Sequence, residues 1–267
     1  MPRLVVVHTE SVGRWALLLL TFAMLLGLCR TGAIHVSARL SEAISGHRAV
    51  IDPGHGGPDP GAVGRSGLRE KDLVLEIAFD LRRLLGRAGI YVTMTRETDR
   101  DFGDGDAGGS MLARKRRDLA YRVDLANRLK ADVYLSVHAN SIPEPQWSGA
   151  QVFYNPARPY ARELAASIQS AFAAHLGPGY RLAKSGDYRV LNDTTMPAVM
   201  IEVGFLSNPE EEALLSQPAY RRRVAEAIFH GMVHYFLLRA DQRERTLPTV
   251  TVPLALEGEK LAVGGKS

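Results

Sequence analysis

Apolar and polar positions along the chain follow two alternating rhythms. Short apolar runs at residues 48–51 (RAVI), 90–95 (IYVTMT), 132–138 (DVYLSVH), 149–154 (GAQVFY) and 198–203 (AVMIEV) read as strands, with a weaker one over 188–191. Between them the spacing turns to three and four. Over Glu70–Arg87, Leu73, Ile77, Leu81, Leu84 and Leu85 share one helical face, and Gly89 ends the unit. Residues 112–129 repeat the pattern with Leu119, Val123 and Ala126 inward, and helices follow over 159–176 and 220–238. Asn208-Pro209 before Glu210, Glu211 and Glu212 is a helix-start signal, since acids sit well at the positive end of the helix dipole. Strands alternating with helices predict an α/β fold: a single domain with a mostly parallel twisted sheet flanked by helices.

The rhythm breaks in four places. DPGHGGPDPGAVGRSG after the first strand and FGDGDAGGS at 102–110 are too rich in Gly and Pro for regular structure, and ANSIPEPQWS after 138 is a loop. From about Arg239 no clear period remains, so 240–267 reads as a loosely ordered tail. At the other end, residues 15–29 (WALLLLTFAMLLGLC) carry no charge and are flanked by Arg14 and Arg30. That run is shorter than the roughly 20 residues of a comfortable membrane span. It fits a signal peptide or uncleaved signal-anchor over 1–33, hence an exported, extracytoplasmic protein on the cell-wall side of the membrane. A polar linker at 34–46 then leads to a catalytic domain over 47–239.

Composition narrows the chemistry. The single cysteine, Cys29, lies in the apolar run, which excludes an intramolecular disulfide and a Cys-ligated metal. A formal charge of +4 favours anionic surfaces, but no basic patch is interleaved with aromatics, so nucleic acid is not an expected partner.

In open α/β sheets, ligands gather beyond the carboxyl ends of the strands. His55 follows the first strand, Glu70 opens the helix after its loop, His138 ends the DVYLSVH strand, and Glu202 lies in the last one. Two imidazoles and a carboxylate with an open fourth position form a catalytic zinc set. A further carboxylate beside it, Glu202, suits proton transfer during amide hydrolysis. Asn140 and Arg65 are candidate substrate contacts. The pair His230 and His234 has zinc-like i,i+4 spacing but lacks the adjacent glutamate of a metalloprotease helix, and is expected to be no metal site.

VIDPGHGGPDPGAVG with His55, GLREKD with Glu70, SVHAN with His138 and IEVGFLSN with Glu202 together resemble the zinc-dependent N-acetylmuramoyl-L-alanine amidases, over about residues 48–238. The resemblance implies one zinc per chain on His55, Glu70 and His138, with Glu202 catalytic. It also implies hydrolysis of the amide joining the muramic-acid lactyl group to L-alanine of peptidoglycan. The stretch from RKRRDLAYRVDLANRLKADVYLSVHAN to GAQVFY is similar to the sporulation and germination branch, which implies stem-peptide removal before muramic δ-lactam forms. Division-type relatives carry an inserted helix that plugs the zinc site; the interval between His138 and Glu202 is too short for one here. No wall-binding repeat is evident, so a membrane-anchored protein partner is an alternative means of localisation to the N-terminal segment. Two other readings fit the same residues: a zinc carboxypeptidase or deacylase acting on another cell-wall amide, and a non-catalytic wall-binding module.

Overall fold

The computed structural model describes residues 22, 24, 39, 41–103, 110–177 and 181–246. The expected signal segment and Cys29 lie outside these residues, apart from positions 22 and 24. Among the described residues no helix is long and apolar enough to cross a membrane.

A six-stranded sheet forms the frame, built from β1 (Arg48–Pro53), β2 (Tyr91–Met94), β3 (Val133–Asn140), β4 (Gln151–Tyr154), β5 (Lys184–Ser185) and β6 (Ala198–Phe205). Its order is β2-β1-β3-β6-β4-β5. The β2, β1, β3 and β6 strands run parallel, and β4 joins β6 antiparallel. The expected α/β fold with a mostly parallel sheet is therefore present. Central parallel strands are covered on both faces, which is why β1, β3 and β6 are nearly continuous apolar runs.

Helices α1 (Glu70–Arg87), α3 (Ala161–Leu176) and α6 (Pro218–Thr246) cover one face, together with the short α5 (Pro209–Leu215) at the sheet end. Their inward residues, such as Leu73, Ile77, Leu81, Leu164, Ile168, Val224 and Ile228, close the main core over Ile51, Leu135, Val137, Ile201 and Val203. Among the described residues the other face carries only α2 (Met111–Arg128) and the single-turn α4 (Arg189–Asn192), over a smaller core of Val50, Tyr134, Ala198 and Met200. Capping follows the sequence signals. Ser110 Oγ accepts from Ala113 N (3.3 Å) at α2, and Asn208 Oδ1 accepts from Glu210 N (2.9 Å) and Glu211 N (3.2 Å) at α5.

Three expectations need correction. Residues 189–192 form a helical turn, not a strand; the paired strand there is Lys184–Ser185. The last helix does not stop at Leu238 but continues to Thr246, because 239–246 is rich in Arg, Ala, Gln and Glu, which favour helix, and has no Gly or Pro. The linker is not wholly detached: residues 41–44 are helical, Ile44 is 3% exposed within the main core, and Gly46 N donates to Gly89 O (2.9 Å).

Candidate active site

At the carboxyl ends of β1 and β3, the sheet edge and the first turn of α1 bring three side chains together. His55, Glu70 and His138 offer ligand atoms that all lie within 4.8 Å of one another. Glu70 Oε1 sits 3.1 Å from His55 Nε2 and 2.9 Å from His138 Nδ1, and the two imidazoles meet edge to face at a centroid distance of 5.0 Å. Glu70 is fixed by backbone donors: Ala62 N to Oε2 (2.7 Å) and Ala139 N to Oε1 (3.0 Å). His55 adopts φ 60°, in the left-handed region, which places its side chain at the mouth of the loop. Gly54 is required beside it, since a Cβ there would lie 2.2 Å from His138 Cε1.

The outer contacts complete the geometry. Asp59 Oδ2 lies 2.9 Å from His55 Nδ1, orienting the ring so that Nε2 faces Glu70, and Lys115 Nζ lies 3.5 Å from the same carboxylate oxygen. Burial disfavours charge on His55, but hydrogen bonds to Asp59 and Glu70 outweigh it and raise the imidazole to about 9. Burial would likewise raise Glu70, yet the two histidines hold it well below the carboxylate range. The cluster is thus built for a positive charge at its centre. One carboxylate and two imidazoles are donors that zinc takes, and His55 and Glu70 are oriented by further contacts to Asp59 and to the backbone of Ala62 and Ala139.

Glu202 completes the group. In register it is the β6 partner of His138 on β3 and of Gln151 on β4, so these three form one row across the sheet. Its Oε2 is a buried oxygen with no hydrogen-bond partner. Burial pushes its carboxyl up to about 7, modulated by His138, Glu70 and His55. A buried oxygen without a partner is costly unless solvent or a ligand meets it.

A layer of ions supports this edge from below. Buried Asp52 accepts from Thr95 Oγ1 (2.6 Å), Tyr134 OH (2.6 Å), Ser136 Oγ (2.8 Å) and Arg122 Nη1 (2.7 Å). Arg122 also donates to Pro53 O (2.8 Å), His55 O (2.7 Å) and Asp118 Oδ2 (2.8 Å). Arg96 adds bonds to Pro53 O (3.0 Å), Gly54 O (2.8 Å) and Lys71 O (2.7 Å). Two guanidiniums therefore grip the carbonyls of the turn that carries His55. Sequence reasoning missed this layer and Asp59. Asp59 had a readable signal, a carboxylate four residues after a candidate ligand; Arg96 and Arg122 looked like ordinary cations.

The remaining candidates fall as follows. Asn140 closes β3, its carbonyl accepting from Leu206 N (2.7 Å). Arg65 is exposed on a loop tied down by Glu212, which accepts from Arg65 N (3.1 Å), Ser66 N (2.8 Å) and Ser66 Oγ (2.6 Å). Its side chain makes no bond to the cluster among the described residues. His230 stacks on His175 at 4.4 Å and His234 Nδ1 lies 3.1 Å from Ser167 Oγ, so both belong to the contact between α3 and α6. Between β3 and β6 the described residues form β4, α3, β5 and α4, and α3 lies against α6 on the far face of the sheet.

Comparison with known proteins gives the same address. The N-acetylmuramoyl-L-alanine amidase family model matches residues 49–234. The germination-specific N-acetylmuramoyl-L-alanine amidase of Bacillus subtilis (strain 168) is 44% identical over 207 residues, covering 76% of this chain and 86% of that protein. Among solved structures, the CwlD amidase of Clostridioides difficile in complex with the GerS lipoprotein matches with a TM-score of 0.70 at 31% identity, covering 72% of this chain and 99% of that one. The catalytic domain of CwlV, an N-acetylmuramoyl-L-alanine amidase of Bacillus (Paenibacillus) polymyxa var. colistinus, matches with a TM-score of 0.60 at 34% identity, covering 71% and 97%. The chain belongs to the family of cell-wall N-acetylmuramoyl-L-alanine amidases and is an enzyme of that class.

Proposed function

We propose that this enzyme uses one zinc ion, held by His55, Glu70 and His138, to hydrolyse the amide between N-acetylmuramic acid and L-alanine, with Glu202 carrying the proton. The observation that supports this most directly is the partnerless carboxyl oxygen of Glu202 beside three converging ligand atoms. Zinc in such a set polarises the scissile carbonyl and lowers the pKa of water toward about 7. Glu202 takes the proton of the attacking water and delivers it to the nitrogen that leaves with L-alanine, the two halves of a general acid–base transfer. Asp59 keeps Nε2 of His55 turned inward, while Ala62 N and Ala139 N hold Glu70 in place. Asn140 and Arg65 are assigned to substrate contact at the rim.

The biological setting we infer is the spore cortex, where removal of stem peptides precedes muramic δ-lactam formation; the germination-specific relative supports it. The substrate is peptidoglycan, reached from the exported side through the N-terminal segment. The lipoprotein bound to the C. difficile amidase supports a membrane-anchored protein partner here as well. Among the described residues no helix between His138 and Glu202 plugs the cluster, and we infer that such localisation, rather than an autoinhibitory element, limits activity.

The test is metal analysis together with mass spectrometry of digested peptidoglycan. Expected are about one zinc per chain, activity lost to chelator and restored by zinc, and products cut between muramic acid and alanine. Full activity in metal-free protein defeats the zinc assignment, and release of a terminal amino acid instead would make this a carboxypeptidase.

A further inference from the structure

The row that begins at His138 does not end at Glu202. It passes to Gln151 on β4, whose side chain is buried, and Gln151 Oε1 accepts from Arg181 Nη1 (3.3 Å). Arg181 Nε donates to Ser148 O (2.8 Å), and its guanidinium lies over the rings of Phe205 (4.8 Å) and Trp147 (5.6 Å). Phe205 reaches this row because of a register shift: His138 pairs with Glu202 but Asn140 with Phe205, so one extra residue returns position 205 to the Glu202 face. Trp147 remains 48% exposed, open to a ligand.

No carboxylate lies within ion-pair distance of Arg181 among the described residues. Glu211, which feels its charge, gives one oxygen to Gly149 N (2.7 Å) and the other to Phe205 N (2.8 Å). A guanidinium set against two aromatic faces, with an oriented amide beside it and no acid of its own, is a site prepared for an anion.

The order of the row says which half of the substrate supplies that anion. The glycan and the lactyl carbonyl are neutral, and the free carboxylates all belong to the peptide. Glu202 delivers its proton to the leaving nitrogen, the first atom of that peptide, and Glu202 stands between the ligand His138 and Gln151. Two strand spacings of ~4.8 Å separate His138 from Gln151, and an extended peptide advances ~3.3 Å per residue. We propose that Arg181, clasped by Gln151, Trp147 and Phe205, receives a carboxylate on the second or third residue of the stem peptide and so sets the direction in which substrate lies. This rests on the amidase reading above.

The experiment uses two muramoyl tripeptides, one with the carboxylates of its second and third residues free and one with both converted to carboxamides. Binding is measured calorimetrically on zinc-loaded Glu202→Gln protein with and without Arg181→Gln, and turnover on the otherwise native enzyme. Arg181→Gln is expected to weaken binding of the free acid by about 10–100-fold, the worth of a charge-assisted hydrogen bond, and to leave the carboxamide unchanged. Arg181→Lys should restore part of the preference. Equal weakening of both compounds would make Arg181 a structural brace of the 144–148 loop, and no weakening of either would remove it from the site; both results overturn the proposal. The amidase reading stands separately if the native enzyme cuts the muramoyl–alanine bond of both compounds. Cutting neither overturns that reading and the subsite with it.

Discussion

Ile201 and Glu202 are neighbours in β6 and face opposite worlds. On the Ile201 side the strands present Ile51, Leu135, Val137, Ile201 and Val203 to α1, α3 and α6, all fully or almost fully buried. On the Glu202 side the same strands begin apolar, with Val50, Tyr134, Ala198 and Met200, and turn polar toward their carboxyl ends, with Asp52, Ser136, His138 and Glu202. One face is packed to its limit, whereas the other is packed only halfway and then handed to chemistry. Residue parity within a single strand separates the packed core from the candidate site, because successive side chains of a strand point to opposite faces.

The sharpest way to break this comparison is Glu202→Gln. The amide keeps the shape but cannot carry the proton, so kcat/KM is expected to fall by about 10²–10⁴-fold or more while zinc content stays at the native level. The melting temperature of metal-free protein should not fall, since burial already penalises the charged carboxyl and the amide removes that penalty. Metal analysis, kinetics and thermal melts on one preparation decide it. Near-native turnover would dismiss Glu202 from the mechanism, and a large loss of stability would show that the polar end also holds the fold together.

Asp52 is the intermediate case, on the polar face but deep within it. Its partners hold its carboxyl well below the usual range: burial alone would raise it, and Arg122, Thr95 and Tyr134 outweigh that burial. Asp52→Asn removes one of the two carboxylates paired with buried Arg122 and leaves Asp118 as the other; breaking a buried pair outright costs about 3–5 kcal/mol, which sets the upper bound here. Urea titration is expected to report a loss within that bound at neutral pH. A depressed folded pKa contributes stability that is present above the unfolded value of about 3.9 and is lost as pH falls below it. The deficit of the variant should therefore shrink in acid. Because Arg122 also grips the carbonyls of Pro53 and His55, zinc affinity should weaken too. Unchanged stability at pH 7 would mean that the ion layer is ornamental to the fold.

This parity explains what could be read from the sequence. DVYLSVH and AVMIEV are buried runs whose polar interruptions, Ser136, His138 and Glu202, fall on even positions, and His138 and Glu202 stand out in the sequence because they lie at the strand ends. The motif loop after β1 and the first turn of α1 supplied His55 and Glu70 by the same logic of strand ends. What could not be read was the register between strands. Nothing in GAQVFY says that Gln151 sits opposite Glu202, nor in the RLAKS stretch that Arg181 comes to Gln151, because pairing is decided by tertiary packing. The bulge that turns Phe205 onto the active face is equally invisible in a linear pattern. The helical turn at 189–192 reads as a strand in the sequence because a short apolar pair, Val190 and Leu191, carries no period of its own.

The smallest expected effect lies one residue from the largest. Ile201 is 0% exposed and stands in register between Val137 of β3 and Val152 of β4, within the core closed by α3 and α6. Ile201→Val removes one methylene from that layer, and such a change costs about 0.5–1.5 kcal/mol, through lost burial and the small void left behind. Its backbone hydrogen bonds and those of Glu202 are untouched, and valine has at least as strong a strand preference. Chemical denaturation should therefore show a modest drop in midpoint with an unchanged slope, while kcat/KM per folded molecule and the zinc content remain native. If the rate falls with the stability, the apolar layer is positioning Glu202 through the strand, and the two faces are mechanically coupled rather than separate. Glu202→Gln with its rate lost and its fold kept, beside Ile201→Val with its rate kept and its fold weakened, is the pair of outcomes that a strand with divided faces requires.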